Sequence, residues 1–237
     1  SASDGEAFDF FGSAVAIDGD TCLVGSPFAF ATDTFAGAVY RFHFNGTTWV
    51  ELQKLMAADG RVGDGFGSSL TLETDTVVVG APLDNSARTN SGSAYVFTSK
   101  GSTWVQRQKL LPPVEAAFDQ FGFSVAMSGE ALVVGSPGDL DKSPTPGAAQ
   151  VFRFNGSAWT WERTLIADDG APQDGFGWSI GLSGDRVAVG APMDDAAAGS
   201  TYVDYIGPVG PGDFDLDGDT DLIDFAAFAS CVTGPDP

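Results

Sequence analysis

The sequence predicts an all-β protein assembled from four-stranded antiparallel units, and three observations carry that expectation. The first is a repeat. Phe-Gly stands at residues 11–12, 66–67, 121–122 and 176–177, and Gly-(Ser/Ala)-Pro at 25–27, 80–82, 135–137 and 190–192, both series stepping by 55 residues. A fixed period of this size marks a repeat architecture. The second is that short apolar or alternating runs fill each period, separated by turn residues. The third is composition: 43% hydrophobic residues with 31 Gly and 13 Pro suit a packed chain of many short strands,.

Taken in order, Ser13 to Ile17 alternates small and apolar residues and stops at Asp18-Gly19-Asp20, a tight turn,. Thr21 to Gly25 is an apolar run, matched by Val77–Val79 and Leu132–Val134, as expected of a strand covered on both faces,. The Gly-(Ser/Ala)-Pro motif ends it, because Pro has no N–H to give to a ladder. A loop of about ten residues follows. Gly37 to Phe44 is the third strand, recurring at 92–98 and 147–154, with Tyr40 and Phe42 on one face like Tyr95 and Phe97. Asn45-Gly46, Lys100-Gly101 and Asn155-Gly156 turn the chain into a fourth strand that starts at Trp49, Trp104 and Trp159. Its mixture of apolar and charged residues suits an outer edge. Phe-Gly is expected to open the inner strand and Gly-Ala-Pro to close the second.

Four antiparallel strands in about 50 residues are the unit of a β-propeller, whose blades pack radially with the first strand innermost. Residues 1–205 are assigned to such blades, three complete and one partial. The fourth period keeps Phe176-Gly177 and Gly190-Ala191-Pro192, but its third strand, Gly199–Val203, arrives three residues early and no Trp strand follows. Further blades or a closing strand are expected upstream; the chain as it stands should form an open arc or a strained four-blade ring. Residues 206–212, Ile-Gly-Pro-Val-Gly-Pro-Gly, read as a linker,. Residues 213–237 form a separate unit.

Charge narrows the partners. Eleven Lys and Arg face 32 Asp and Glu, for a net charge of −21. Such a field repels nucleic acid and anionic lipid and favours cations, Ca²⁺ above all. No apolar run is long enough for a membrane-spanning helix. Cys22 and Cys231 supply no CxxC pair. Cys22 holds the place of Val77, Leu132 and Val187, and is expected to act as a small buried hydrophobe,.

Phe-Gly at the head and Gly-Ala-Pro at the tail of each of four periods resemble the FG-GAP repeats of integrin α-chains and of many bacterial surface and secreted proteins. That resemblance covers residues 1–205 and implies an extracellular or cell-surface location. Integrin-type repeats often carry an Asp-x-Asp-x-Asp-Gly calcium loop between the two motifs. Here that place holds only Asp18-Gly19-Asp20, Glu73-Thr74-Asp75, Ser128-Gly129-Glu130 and Ser183-Gly184-Asp185, each too short to wrap a cation with six oxygens,. The blades therefore resemble the calcium-free bacterial variety.

The tail carries the metal motif. Asp213, Asp215 and Asp217 fall at positions 1, 3 and 5 of a twelve-residue EF-hand-type loop, with Gly218 at the sharp turn,. Asp219 offers its carbonyl at position 7, Asp221 acts at 9, and Asp224 replaces the usual Glu at 12, a shorter reach that weakens the site. Leu222, Phe225 and Phe228 follow at helical spacing. A calcium loop with an exiting helix resembles half of a dockerin domain, which implies a docking partner for the tail. The competing readings are an acidic unstructured end and the calcium loop of a further propeller repeat.

No catalytic constellation emerges. His43, the single histidine, aligns with Thr98 and Arg153 at a variable outward site, and a catalytic base needs a positioned partner,. Asn45-Gly46-Thr47 and Asn155-Gly156-Ser157 match the glycosylation sequon but sit where Asn-Gly is wanted for the turn. The second-to-third loops vary, and variable loops on a rigid scaffold are where binding usually resides. Phe28, Phe30 and Phe35 in the first of them are either an aromatic contact or packing over the blade. The expected function is thus a non-catalytic extracellular binding or adhesion module, whose loop face meets a protein or glycan and whose tail binds Ca²⁺. The alternatives are an accessory region of a secreted polysaccharide-degrading enzyme and a spacer in a cell-envelope protein.

Overall fold

A computed structural model of the protein describes residues 1–30, 35–138 and 147–207. They form three four-stranded antiparallel sheets and one three-stranded sheet, with a single helical turn, α1 (Asp194–Ala197). Blade 1 is β1 (Val15–Asp18), β2 (Thr21–Ser26), β3 (Ala38–Phe44) and β4 (Trp49–Leu55), hydrogen-bonded in that order. Blade 2 repeats it as β5 (Ser69–Glu73), β6 (Thr76–Ala81), β7 (Ser93–Lys100) and β8 (Thr103–Leu110). Blade 3 is β9 (Ser124–Ser128), β10 (Ala131–Ser136), β11 (Ala148–Phe154) and β12 (Trp159–Leu165). Blade 4 has β13 (Ser179–Ser183), β14 (Arg186–Ala191) and β15 (Ser200–Tyr205), and among the described residues no fourth strand. The inner strands β1, β5, β9 and β13 lie side by side, so the blades radiate from a common line as a propeller's do.

The core is three layers, one in each seam between blades. Leu23, Val39 and Leu55 of blade 1 meet Phe66, Val77, Val79, Tyr95, Phe97 and Trp104 of blade 2. The same positions one and two periods on build the second and third seams. Each blade thus has a leading and a trailing face, and burial requires a neighbour on both. The end blades lack one each. Trp49 is 44% exposed where Trp104 is 4%, and Val203 is 71% exposed where Val96 is 2%. The described blades are therefore an open arc rather than a closed four-blade ring. Cys22 follows the same rule. It lies on the bare leading face of blade 1 and is only half-buried, unlike Val77 and Leu132, which have a blade in front of them.

The repeat motif has a different job from the one its sequence suggests. Phe-Gly does not open the inner strand of its own blade, which starts two or three residues later. It reaches back to the preceding blade: Phe66, Phe121 and Phe176 form parallel bridges with Gly37, Gly92 and Gly147. The Gly of Gly-(Ser/Ala)-Pro lies under the following Phe-Gly. A Cβ on Gly25, Gly80 or Gly135 would land inside the carbonyl oxygen of Gly67, Gly122 or Gly177. Side-chain bonds one period apart reinforce each seam. Asp18 accepts the N–H of Thr74 and Glu73 that of Gly129, at 2.7 and 2.8 Å. The Gln53 amide exchanges two hydrogen bonds with the backbone of Trp104, and Gln108 does the same with Trp159. Ile206, at the head of the expected linker, is fully buried in the third seam, so the blade unit reaches at least to it.

A comparison of equivalent glycines checks this account. Gly80→Ala should cost about 3 kcal/mol or more, since the Gly122 backbone of the next blade must move,. Gly190→Ala, where among the described residues the movable Ser179 hydroxyl is the only close contact, should cost under about 1 kcal/mol,. Urea denaturation of the two variants measures the difference.

Candidate functional site

On the long-loop side, each blade is tied by a polar clasp that the sequence reading did not identify. In blade 2, Asp84 on the β6–β7 loop is fully buried. Its carboxylate accepts from Ser93 Oγ at 2.6 Å and from the Ser86 N–H at 2.7 Å, and pairs with Lys109 Nζ at 2.7 Å. Lys109 also pairs with Asp59 at 2.6 Å and lies 5.1 Å from the Tyr95 ring centroid. The Tyr95 hydroxyl lies 2.9 Å from Asp59 Oδ1 and 3.0 Å from Asp84 Oδ2. Blade 1 keeps the set as Tyr40, Lys54 and Asp4. Blade 4 keeps Tyr202 with Asp169 and Asp194. Blade 3 replaces Tyr and Lys together by Gln150 and Thr164, 2.6 Å apart. The clasp fastens loop to strand, and its coordinated replacement marks it as scaffold.

A second carboxylate series precedes Phe-Gly. Asp9, Asp64, Asp119 and Asp174 are all buried, and each accepts the backbone N–H three residues earlier, from Glu6, Arg61, Ala116 and Ala171. Asp64 Oδ1 has no hydrogen-bond partner. Burial, with repulsion from Asp84, outweighs the Arg61 N–H and pushes the Asp64 carboxyl up to about 6. Burial would also raise Asp84, but hydrogen bonds from Lys109, Ser86 and Ser93 outweigh it and bring Asp84 down to about 2.

The exposed feature on this side is aromatic and densest on blade 1, although Phe118, two periods after Phe8, is also exposed. Phe8, Phe10, Phe28, Phe30 and Phe35 are all exposed, Phe8 by 85%. Phe10 meets Phe28 edge-on at 5.5 Å, and Phe30 meets Phe35 at 5.1 Å. Ala7, Phe8, Asp9, Phe10, Phe28 and Phe35 surround a hollow of about 410 Å³. Phe8 and Phe10 hold left-handed backbone, at φ 73° and 55°, where blade 2 has Gly63 and Gly65 at 84° and 73°. An L-residue there is strained, and strained exposed residues point to function. Of the two alternatives for Phe28, Phe30 and Phe35, the structure shows the exposed one. Phe8 and Phe10 were missed, and the signal was available: a glycine position one period away filled by Phe.

The other expected positions are placed as follows. Asp213, Asp215, Asp217, Asp219, Asp221 and Asp224 lie outside the described residues, as do the rest of the tail and the linker from 208. Among the described residues no group of three or more His, Cys, Asp or Glu is disposed to hold a metal ion. His43 Nδ1 sits 3.0 Å from the Asp20 carbonyl oxygen, to which its protonated form donates. Asn45 Oδ1 accepts the N–H groups of Thr47 and Thr48, and Asn155 Oδ1 those of Ser157 and Ala158, so both amides serve their own turns. No helix of the described residues is long and apolar enough to cross a membrane.

Radial four-stranded blades with loops gathered at one end, seamed by Phe-Gly against Gly-(Ser/Ala)-Pro, define a β-propeller repeat module of binding or adhesion type. The FG-GAP repeat profile matches residues 1–42, 49–97, 104–152 and 159–203, and the chain belongs to the FG-GAP repeat family. No curated protein matches the chain.

The two buried carboxylates have opposite pH signatures. Asp64 is raised when folded, so its cost is absent below about pH 4 and grows as pH climbs through 6,. Asp64→Asn should remove that decline, gaining about 2–3 kcal/mol at pH 7.5 and little at pH 4. Asp84 is lowered, so its contribution is present above about pH 4 and lost as pH falls toward 2,. Asp84→Asn should lose about 2–4 kcal/mol at pH 7 and flatten the acid limb. Unfolding free energies from pH 2 to 8 check both.

Proposed function

We propose that this protein is a non-catalytic binding module working outside the cell, and that blade 1 grips a protein partner through the Phe8, Phe10, Phe28, Phe30 and Phe35 patch. The carrying observation is the gathering of five exposed phenylalanines on blade 1, four of them around one hollow, with Phe8 and Phe10 in a left-handed backbone that blade 2 gives to glycine and blade 3 to Phe118 and Gln120. Large rigid side chains gathered in one apolar hollow are the usual anchors of a protein interface. Phe brings no hydrogen-bonding group, which favours an apolar protein surface over a glycan, whose hydroxyls need polar partners. Under this reading no residue is assigned a catalytic role.

The tail is proposed to bind Ca²⁺ through Asp213, Asp215, Asp217, the carbonyl of Asp219, Asp221 and Asp224, and to serve as a second docking element. Support comes from the spacing of six aspartates around Gly218,.

Phe8→Gly with Phe10→Gly separates function from stability. It installs the blade 2 residues, so the melting temperature should rise by a few degrees, a gain of about 1 kcal/mol. A partner captured from the surface and secreted fraction should bind the variant at least tenfold more weakly, an anchor loss of about 1.4 kcal/mol or more. Unchanged binding would remove the patch from the interface, and capture of a glycan instead would change the partner class. For the tail, calorimetric titration of the full chain should show one calcium site. Asp213→Asn with Asp217→Asn should weaken it by at least about a hundredfold.

A further inference from the structure

We propose that the seam between blades 2 and 3 holds a binding site for a monocarboxylate sugar, a hexuronic acid, entered from the short-turn side opposite the aromatic patch. A cavity of about 470 Å³ lies there, lined by Glu73, Thr76, Thr98 and Arg107 of blade 2 and by Phe154 and Trp159 of blade 3, among others. That volume is in the range of small-ligand pockets.

The cavity has an identifiable cause. Val96 and Thr98 on β7 occupy positions that carry arginine in the neighbouring blades. In blade 1 the place of Val96 is held by Arg41, which donates to the Ser102 carbonyl at 2.8 Å and lies 5.9 Å from the Trp104 ring centroid, filling the first seam. In blade 3 the place of Thr98 is held by Arg153, which crosses to Asp185 at 2.9 Å and to the Ile206 carbonyl in the third seam. Blade 2 alone has small side chains at both positions.

The outer strand adds a cation at the same place. Each β3–β4-type pair contains a bulge, with Leu52, Arg107 and Glu162 as the extra residue on the outer strand. Bulges re-aim side chains and recur beside functional sites. In blade 3 the bulge acid pairs with the strand arginine, Glu162 with Arg153 at 2.8 Å. In blade 2 that charge pair is absent: Arg107 Nε donates to Thr98 Oγ1 at 2.8 Å, and among the described residues Arg107 forms no ion pair. A guanidinium without an acid partner, in a chain of net charge −21, is suited to a carboxylate brought by a ligand,. The remaining lining fits a sugar ring. Thr76 and Thr98 offer hydroxyl groups for ring hydroxyls, and Phe154, Trp159 and Met127 supply apolar wall. One carboxylate per ring suits the site, since a more highly charged anion meets the field of Glu73 and the surrounding acids.

The sister repeats supply the test. Trp159 fluorescence and saturation-transfer NMR on the full chain, titrated with D-glucuronate, D-galacturonate and neutral D-glucose, should show uronate binding at least tenfold tighter than glucose. Arg107→Gln should weaken uronate at least tenfold and leave glucose unchanged. Val96→Arg and, separately, Thr98→Arg copy residues that blades 1 and 3 already accommodate, so each should fold with a melting temperature near that of the parent and lose uronate binding. Absence of uronate binding to the parent chain overturns the proposal, as does full binding in a folded Val96→Arg or Thr98→Arg variant. Equal binding of uronate and glucose overturns the role of Arg107.

Discussion

Everything in this fold depends on backbone meeting backbone at the seams. Gly25, Gly80 and Gly135 stand so close under Gly67, Gly122 and Gly177 that no side chain fits between them. The contact fixes the distance from one blade to the next before any side chain is chosen. Parallel bridges from Gly37, Gly92 and Gly147 to the following Phe hold the same approach from a second point. Two fixed points define an orientation, and the apolar layers then fill a gap whose width is already set. This is why the period stays at 55 while the side chains around it drift.

A spacing set by glycine leaves the outer parts of each seam free to vary. The Gln53 and Gln108 bonds to Trp104 and Trp159 stitch the outer strands through backbone atoms, so they too demand little of neighbouring side chains. Between those stitches and the axis, Arg41 fills one seam, Arg153 crosses another, and Val96 with Thr98 leaves the middle one hollow. The polar clasp varies in the same bounded way. Tyr95 and Lys109 become Gln150 and Thr164 as a set, because a lone buried Lys or Tyr hydroxyl would be left without a partner,.

What was legible in the sequence follows from these dependencies. Strand positions, the alternation of Tyr40 and Phe42, and the hairpin Asn-Gly turns were readable because they obey local rules of period and turn chemistry. The role of Phe-Gly was not. Its partner lies in the preceding blade, and nothing local distinguishes the start of a strand from a bridge to a neighbour. Asp9, Asp64, Asp119 and Asp174 recur with the full period, yet a turn-forming Asp looks the same whether solvated or buried. Cys22 was read as buried from its equivalents, which holds only where a blade stands in front. For Phe8 and Phe10 the clue was a shared left-handed backbone under changing side chains: Gly63 and Gly65 in blade 2, Phe118 and Gln120 in blade 3, Gln173 and Gly175 in blade 4. A sequence shows the changing side chains but not the backbone conformation that they have in common.

The acidity of the chain can be weighed in the same terms. Asp18 and Glu73, in the turns where a related repeat would hold calcium, are occupied in accepting N–H groups from Thr74 and Gly129 of the next blade. A carboxylate already bonded to a backbone donor has less to offer a cation, and its loss would loosen a seam. Asp4, Asp59 and Asp84 are likewise committed to Lys and Tyr partners. Much of the negative charge in the described blades is thus structural, spent on fastening turns and loops. Chemistry directed at other molecules must then come from residues the scaffold does not use. Among the described residues, the exposed phenylalanines of blade 1 on one face and the bulge arginine Arg107 on the other are groups of that kind. The side chains at both places change from blade to blade while the backbone beneath them keeps its form, so binding chemistry can vary on a frame that the shared residues hold.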